Sequence, residues 1–308
     1  MSFALTVENL TKRFGSGVLA LDAVNLRIAQ GDFFALLGPN GAGKSTLISI
    51  LCSLVKKSSG KVRIFDLDID RDFALARRHL GVVPQEFNFN GFEKVEDIVV
   101  NQAGYYGIAR ANARKSAERY LKKLGLWEKR AQPARFLSGG MKRRLMIARA
   151  LVHEPDILIL DEPTAGVDIE LRRSMWTFLT EVNAEGTTIV LTTHYLEEAE
   201  QLCRNVAILN NGKILENASM AGLLAKLNRE VFVLDIAERA EAVDSLNGFE
   251  VLKSSPTHIE VALDRGQNLN DLYSELSRRD VKVQSMRNKA NRLEELFVSI
   301  VQSPGQGL

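Results

Sequence analysis

Phe33-Phe34-Ala35-Leu36-Leu37-Gly38-Pro39-Asn40-Gly41-Ala42-Gly43-Lys44-Ser45 is the stretch that decides the fold. The five apolar residues at its start do not alternate with polar ones, the pattern of a strand covered on both faces. The strand stops at Gly38, and helical sequence begins at Lys44. Strand, glycine loop and helix in that order make a phosphate-binding turn, because glycines let successive backbone N–H groups point inward at one anion. In that reading Lys44 reaches the β- and γ-phosphates of a nucleotide and Ser45 ligates Mg²⁺. The candidate contact run is Gly38, Pro39, Asn40, Gly41, Ala42, Gly43, Lys44, Ser45 and Thr46.

Upstream of this turn, residues 5–10 and 21–28 alternate apolar and polar side chains, as half-exposed antiparallel strands do. Downstream, residues 92–136 are helical by pattern, with polar-rich helices over 95–104 and 111–124, and read as a helical insert. A helix over 141–152 leads into an apolar strand at 157–160. Helix 169–182, strand 187–191, helix 195–203, strand 206–209 and an Asn210-Asn211-Gly212 hairpin turn follow. Alternating strands and helices predict a mainly parallel sheet covered by helices, an α/β fold. Near residue 228 the texture changes to short strands (231–235, 259–263, 281–284) and helices (269–278, 293–301). This is a small α+β appendage of about 80 residues. Ser303-Pro304-Gly305-Gln306 is expected to fray.

Asp161 and Glu162 end the apolar strand Ile157-Leu158-Ile159-Leu160. Beside a phosphate loop, Asp161 is placed to hold Mg²⁺ through water. Glu162 is placed to orient or deprotonate the attacking water, a contribution of about 10²–10⁴-fold. Alone, two carboxylates at a strand end would read as caps of the next helix. Gln85, after Leu80-Gly81-Val82-Val83-Pro84, offers an amide to Mg²⁺ or the lytic water. His194, after Thr192-Thr193, offers a ring nitrogen to the γ-phosphate. Both end strands expected beside the phosphate-loop strand, at the edge where ligands of open α/β sheets collect.

Leu137-Ser138-Gly139-Gly140-Met141 is a second anion site: a hydroxyl and free backbone N–H groups at a helix N-terminus. A plain Ser N-cap is its simpler reading. One γ-phosphate does not need two cradles from one chain, so Ser138, Gly139 and Gly140 imply a head-to-tail dimer that closes on the partner's nucleotide. Arg143 and Arg144, which follow, read as a solvated helix face. Asp168 caps helix 169–182, relays between the two sites of a dimer, or does both. Phe14 either stacks on adenine, worth roughly 1–3 kcal/mol, or fills a strand end.

Lys plus Arg number 40 against 38 acids, which argues against a nucleic-acid binder working by bulk charge. Apolar residues are 45% and charged residues 25%, ordinary for a soluble globular chain of 308 residues. Cys52 and Cys203 lack metal-ligand spacing and suit a reducing compartment. No secretory signal pattern opens the sequence, and no apolar run reaches the roughly 18 residues of a membrane helix. Action on a membrane would therefore need a partner.

Taken together, the Walker A loop at 38–45, the Gln85 loop, the Leu137–Met141 signature, the Walker B strand, the Asp168 loop and the His194 switch resemble the ATP-binding subunits of ATP-binding-cassette (ABC) transporters. The likeness covers roughly residues 3–225. Within that superfamily, Leu-Ser-Gly-Gly-Met-Lys-Arg-Arg from Leu137 and Pro-Thr-Ala-Gly-Val-Asp from Pro163 resemble the ABC-2 exporter branch. The tail Ser285-Met286-Arg287-Asn288-Lys289-Ala290-Asn291-Arg292-Leu293-Glu294-Glu295-Leu296-Phe297 resembles its bacterial YadG-type group. Met141 stands where Gln is commoner, Ala165-Gly166-Val167 where Ser-Ala-Leu is, and Phe14 where Tyr is.

The resemblance implies a P-loop NTPase cassette over 1–227, with a mixed sheet, an antiparallel β subdomain and a helical subdomain at about 86–153, then an accessory domain over 228–308. It implies ATP and Mg²⁺ as cofactors, a head-to-tail homodimer, and a separate integral membrane permease of about six helices. It places the protein on the cytoplasmic face of the bacterial inner membrane. The rival classes are soluble signature-motif ATPases of DNA repair, chromosome handling or translation, and a transporter-like ATPase that drives an envelope process without transport. Long coiled coils or paired cassettes mark the soluble group, and this chain has one cassette with a short insert.

Overall fold

Alternating burial along Phe3–Arg13 and Leu19–Ala29 makes two long strands, β1 and β2, paired antiparallel. The computed structural model describes residues 2–226, 229–237, 243, 245–264, 266–289 and 292–302. The expected fray at 303–306 lies outside the described residues. β3 (Phe33–Leu37) is buried at every position, and α1 (Lys44–Leu51) follows the glycine loop. β4 (Ser59–Ile64) and β5 (Leu67–Asp68) complete a four-stranded antiparallel sheet in the order β2-β1-β4-β5. A short helix α2 (Phe73–Ala76) precedes β6 (Leu80–Val83).

The insert consists of α3 (Val95–Tyr105), α4 (Arg110–Lys123) and α5 (Gly139–Leu151). The chain then returns through β7 (Ile157–Asp161), α6 (Ile169–Ala184), β8 (Thr188–Thr192), α7 (Leu196–Leu202), β9 (Asn205–Asn210) and β10 (Lys213–Ser219). These strands form one six-stranded sheet in the order β10-β9-β3-β8-β7-β6, parallel from β9 to β6, with β10 antiparallel at the edge. Asn211 and Gly212 both have positive φ, 47° and 76°, as a two-residue hairpin of the expected kind requires.

Apolar faces of both sheets share one core. Leu5, Val7, Leu26 and Val62 from the antiparallel sheet join Leu47 and Ile50 of α1 and Phe34, Ile159 and Val190 of the parallel sheet. Burying an aliphatic side chain of this size contributes about 1.5–3 kcal/mol. The phosphate loop therefore hangs between two sheets that cannot shift without opening that core.

The chain divides into two compact units, Met1–Ser219 and Met220–Leu308. The second unit opens with α8 (Met220–Leu224) and holds β11 (Arg229–Ile236), β12 (Glu250–Ser254), β13 (His258–Asp264), α9 (Leu269–Arg278), β14 (Val283–Asn288) and α10 (Arg292–Gln302). Its antiparallel sheet has the order β12-β13-β11-β14. Leu272 and Leu276 of α9 pack with Phe232, Leu234, Ile259 and Val261 in a separate core.

Two expectations need correction. Sequence reading puts the strands ahead of Gln85 and His194 both beside β3. β8 is its neighbour, but β6 is at the far edge, beyond β8 and β7. Parallel strands share one carboxyl edge whatever their order, so register does the work adjacency was expected to do. Val83 pairs with Leu160 and Asp161 with Thr192, which brings Gln85 level with Glu162. The second correction concerns Arg143, which is 5% exposed and forms no solvated face. Arg144 also turns inward and donates to Leu124 O at 2.9 Å.

Candidate functional site

The glycine loop meets α1 at Gly43, whose φ of 111° is one that other residues rarely adopt. A Cβ at Gly43 would also lie 2.6 Å from Ala20 O, so β2 closes over the loop. No side chain caps α1, which leaves its first N–H groups for an anion. Lys44 is 9% exposed, and its Nζ donates to Gly38 O (2.7 Å) and Pro39 O (3.0 Å), bracing the loop it follows. Burial pushes the Lys44 ammonium down from its ordinary range, against the opposing pull of Glu162 and then Asp161.

A cleft of 510 Å³ opens here, within the usual range for small-molecule sites. Asn40, Gly41, Ala42, Gly43, Lys44, Ser45 and Thr46 line one wall, with Gln85, Asp161 and Glu162 on the carboxylate side. Val18, Leu19, Ala20, Asn211 and Gly212 complete it, residues for which the sequence carries no chemical signal. Phe14 is not in the lining. Its N–H donates to Val18 O at 2.9 Å, so it closes the turn that presents Val18, and Lys12 Nζ is 4.7 Å from its ring centroid.

Thr192 organises the two carboxylates. Its Oγ1 donates to Asp161 Oδ1 at 2.5 Å, and its carbonyl accepts from the Glu162 N–H at 3.0 Å. Glu162 has φ 49°, a left-handed conformation that costs a non-glycine residue about 1–2 kcal/mol. That turn aims its side chain at the cleft mouth. Glu162 Oε2 accepts from Gln85 Nε2 at 3.0 Å and lies 3.3 Å from His194 Nδ1. The three residues singled out for catalysis thus converge on one oxygen. Lys44, the exposed Ser45 hydroxyl and Asp161 stand at the same cleft, a donor set that suits a nucleotide with a hard cation.

Arg143 of α5 supports this arrangement from behind. It donates to Pro84 O (3.0 Å) and Gln85 O (2.9 Å) and stacks over Phe87 at 5.1 Å. Burial lowers its pKa, against the attraction of Asp161 and then Glu162. Arg149 reaches Asn88 O at 3.1 Å, so one helix holds the Gln85 segment at two points.

Ser138 and Asp168 both act as helix caps. Ser138 Oγ accepts from Met141 N at 3.3 Å and Asp168 Oδ1 from Leu171 N at 2.9 Å. Neither residue, nor Gly139 or Gly140, lines the cleft of its own chain. A Cβ on Gly140 would lie 2.0 Å from Leu171 Cδ2, so the N-termini of α5 and α6 are in close contact. Ser138, Gly139 and Asp168 are exposed, and Ile169 beside them is 69% exposed.

Residues 21–165 match the family model described as ABC transporter. The chain is 33% identical to the Nod factor export ATP-binding protein I of Paraburkholderia xenovorans, over 91% of this chain and 98% of that protein. The chain belongs to the ABC transporter family. It is an ATP-binding subunit, and it is equally 33% identical to the daunorubicin/doxorubicin resistance ATP-binding protein DrrA of Streptomyces peucetius, over 98% of this chain and 93% of that one. Its fold matches a dimeric post-hydrolysis ATP-binding cassette bound to ADP and Pi, with TM-score 0.65 and 29% identity over 70% of this chain and 98% of that chain. In this ABC subunit no helix among the described residues is long and apolar enough to cross a membrane.

Proposed function

We propose that this chain is the ATP-hydrolysing subunit of an ABC-2 type exporter and works as a head-to-tail dimer on a separate permease. One observation carries the reading: Ser138 and Asp168 are exposed and do not line their own cleft, while Gln85 and His194 converge on Glu162, which does. Each nucleotide is held by the Lys44 loop of one chain and the Ser138 turn of the other, with Asp168 between the sites. Phe14 stacks on the adenine where the turn at 14–18 overhangs the cleft. Ser45, Asp161 and Gln85 would hold Mg²⁺, which supplies charge neutralisation at the transferred phosphoryl group. Glu162 takes the proton of the attacking water, and His194 hydrogen-bonds the γ-phosphate. Hydrolysis removes the γ-phosphate from the dimer interface, and the dimer opens.

The permease, of about six helices by family analogy, meets the chain from the bacterial inner membrane's cytoplasmic side. A groove of 650 Å³ lined by Leu54, Phe73, Pro84, Asn88, Tyr105 and Tyr106 suits a cytoplasmic helix of that partner. Tyr105 is 82% and Leu54 80% exposed, an apolar surface that a monomer in water does not need. Residues 1–227 are the motor in this reading and 228–308 an accessory domain. Export as the direction of transport is supported by the relatives' names, and membership of the YadG-type group by the tail resemblance alone.

Glu162→Gln tests the hydrolytic part. The variant is expected to bind ATP with unchanged affinity, lose on the order of 10²–10³-fold in turnover and accumulate as a dimer in size-exclusion chromatography. Purified from detergent-solubilised membranes in that trapped state, the chain is expected to carry a stoichiometric integral membrane protein. Full turnover by the variant would remove Glu162 as the base. Recovery of soluble proteins or ribosomes alone would reject the exporter reading.

A further inference from the structure

Glu198 of α7 takes no part in that mechanism, yet it is fully buried. Its Oε1 accepts from Thr164 Oγ1 at 3.0 Å and Trp176 Nε1 at 2.9 Å. Its Oε2 is buried without a hydrogen-bond partner, as is Nε of Arg172. Burial pushes the Glu198 carboxyl up, against smaller opposing effects from Thr193, Trp176, Thr164 and Arg172. These donors and the Arg172 charge compensate an ionised carboxylate only in part, so burial still favours the neutral acid.

The groups around Glu198 belong to three segments of the site. Thr164 follows Glu162 by two residues, Arg172 and Trp176 lie on the helix that Asp168 caps, and Thr193 precedes His194. A second contact chain runs in parallel: the His194 ring packs on Tyr195 at 4.0 Å, and Arg172 Cζ lies 4.1 Å from the Tyr195 ring.

We propose that Glu198 is the positioning residue that fixes the His194 loop against α6 and the segment after Glu162. The inference rests on the hydrolytic reading of Glu162 and His194. Truncating Glu198 strands two donors, Thr164 Oγ1 and Trp176 Nε1, in the interior and frees the start of α7 from α6. The charged and titratable groups facing it are Arg172 of α6 and the buried thiol of Cys203, which stays protonated. Because the folded carboxyl titrates above its ordinary range, the neutral form is complete at low pH and is lost as pH rises through that raised value. Turnover is therefore expected to fall on the alkaline side. Gln keeps the shape and neutrality and has no proton to lose.

The test uses the full chain as wild type, Glu198→Ala, Glu198→Gln and Trp176→Phe. ATP turnover across pH is measured together with amide hydrogen exchange over residues 193–199. Glu198→Ala is expected to lower kcat on the order of 10- to 100-fold at unchanged KM, as misplacing a catalytic group does, and to raise exchange in that segment. Glu198→Gln is expected to restore both and to abolish the alkaline fall. Trp176→Phe, which removes one donor without cutting the core, is expected to lower kcat several-fold at unchanged KM. Wild-type kcat and exchange in Glu198→Ala would overturn the proposal, as would a Glu198→Gln variant as impaired as Ala. Should the Ala variant not fold, an unchanged Trp176→Phe, or an alkaline limb kept by the Gln variant, overturns it as well. A wild-type chain that binds ATP without hydrolysing it, yet shows the exchange response, would reject the hydrolytic reading and leave the positioning role standing.

Discussion

At His153 the imidazole stacks on Tyr106 with ring centroids 3.6 Å apart, and Nε2 lies 3.0 Å from Leu80 O. Nδ1 is buried without a partner, so with hydrogen on Nε2 the second nitrogen has nothing to stabilise a proton. Burial accordingly pushes the group down to about 4 from 6.5. The unfolded chain binds a proton below about 6.5 and the folded chain does not, so stability is full above that pH and falls as acid drives the pH toward 4. His153→Phe keeps the stack and is expected to remove on the order of 2 kcal/mol of acid sensitivity at pH 5, read from urea melts at pH 7 and pH 5. Gly140 supplies a second residue-scale case. Gly140→Ala is expected to cost about 1–3 kcal/mol by overpacking, and Leu171→Ala in the same chain is expected to recover most of it in a double-mutant cycle of thermal melts. At this scale, reactive chemistry was legible and support was not. Lys44, Asp161 and Glu162 stand out because their types and spacing have few other uses, whereas Glu198 lies in Leu196-Glu197-Glu198-Ala199-Glu200, which reads as an ordinary solvated helix.

Elements repeat that lesson with register in place of side chains. The helix expected near residues 269–278 is α9, and the Asn211-Gly212 turn has its two left-handed positions. β4 went unread although Val62 and Ile64 alternate correctly, because Ser59-Gly60-Lys61 opens it with turn-like residues. The edge position of β6 depends on pairings between distant strands, which no local pattern encodes. α5 shows what a helix can do for its neighbours: Arg143 and Arg149 together carry the backbone of Pro84, Gln85 and Asn88. Lysine cannot reproduce that planar fork. Arg143→Lys is expected to cost about 1.5–3 kcal/mol for its charged hydrogen bonds, seen as a lower melting temperature, and to slow ATP turnover at unchanged KM by releasing the Gln85–Glu162 contact.

On the scale of the whole molecule, each of the two units has its own apolar core. A chain ending at Ser219 is expected to fold and bind ATP with the affinity of the full protein, measured by fluorescent-nucleotide titration; loss of folding would show that the second unit supports the first. Of what lies outside a single chain, the second protomer was legible through motifs with no task inside their own cleft, and the permease only through the family resemblance. That division of labour has a genetic consequence. If each working centre draws Lys44 from one copy and Ser138 from the other, a cell carrying one allele with Lys44→Ala and another with Ser138→Arg makes mixed dimers. One centre of such a dimer inherits both lesions, and its sibling inherits neither. Two loss-of-function alleles would then complement in trans, a rescue that a centre built wholly within one polypeptide can never show.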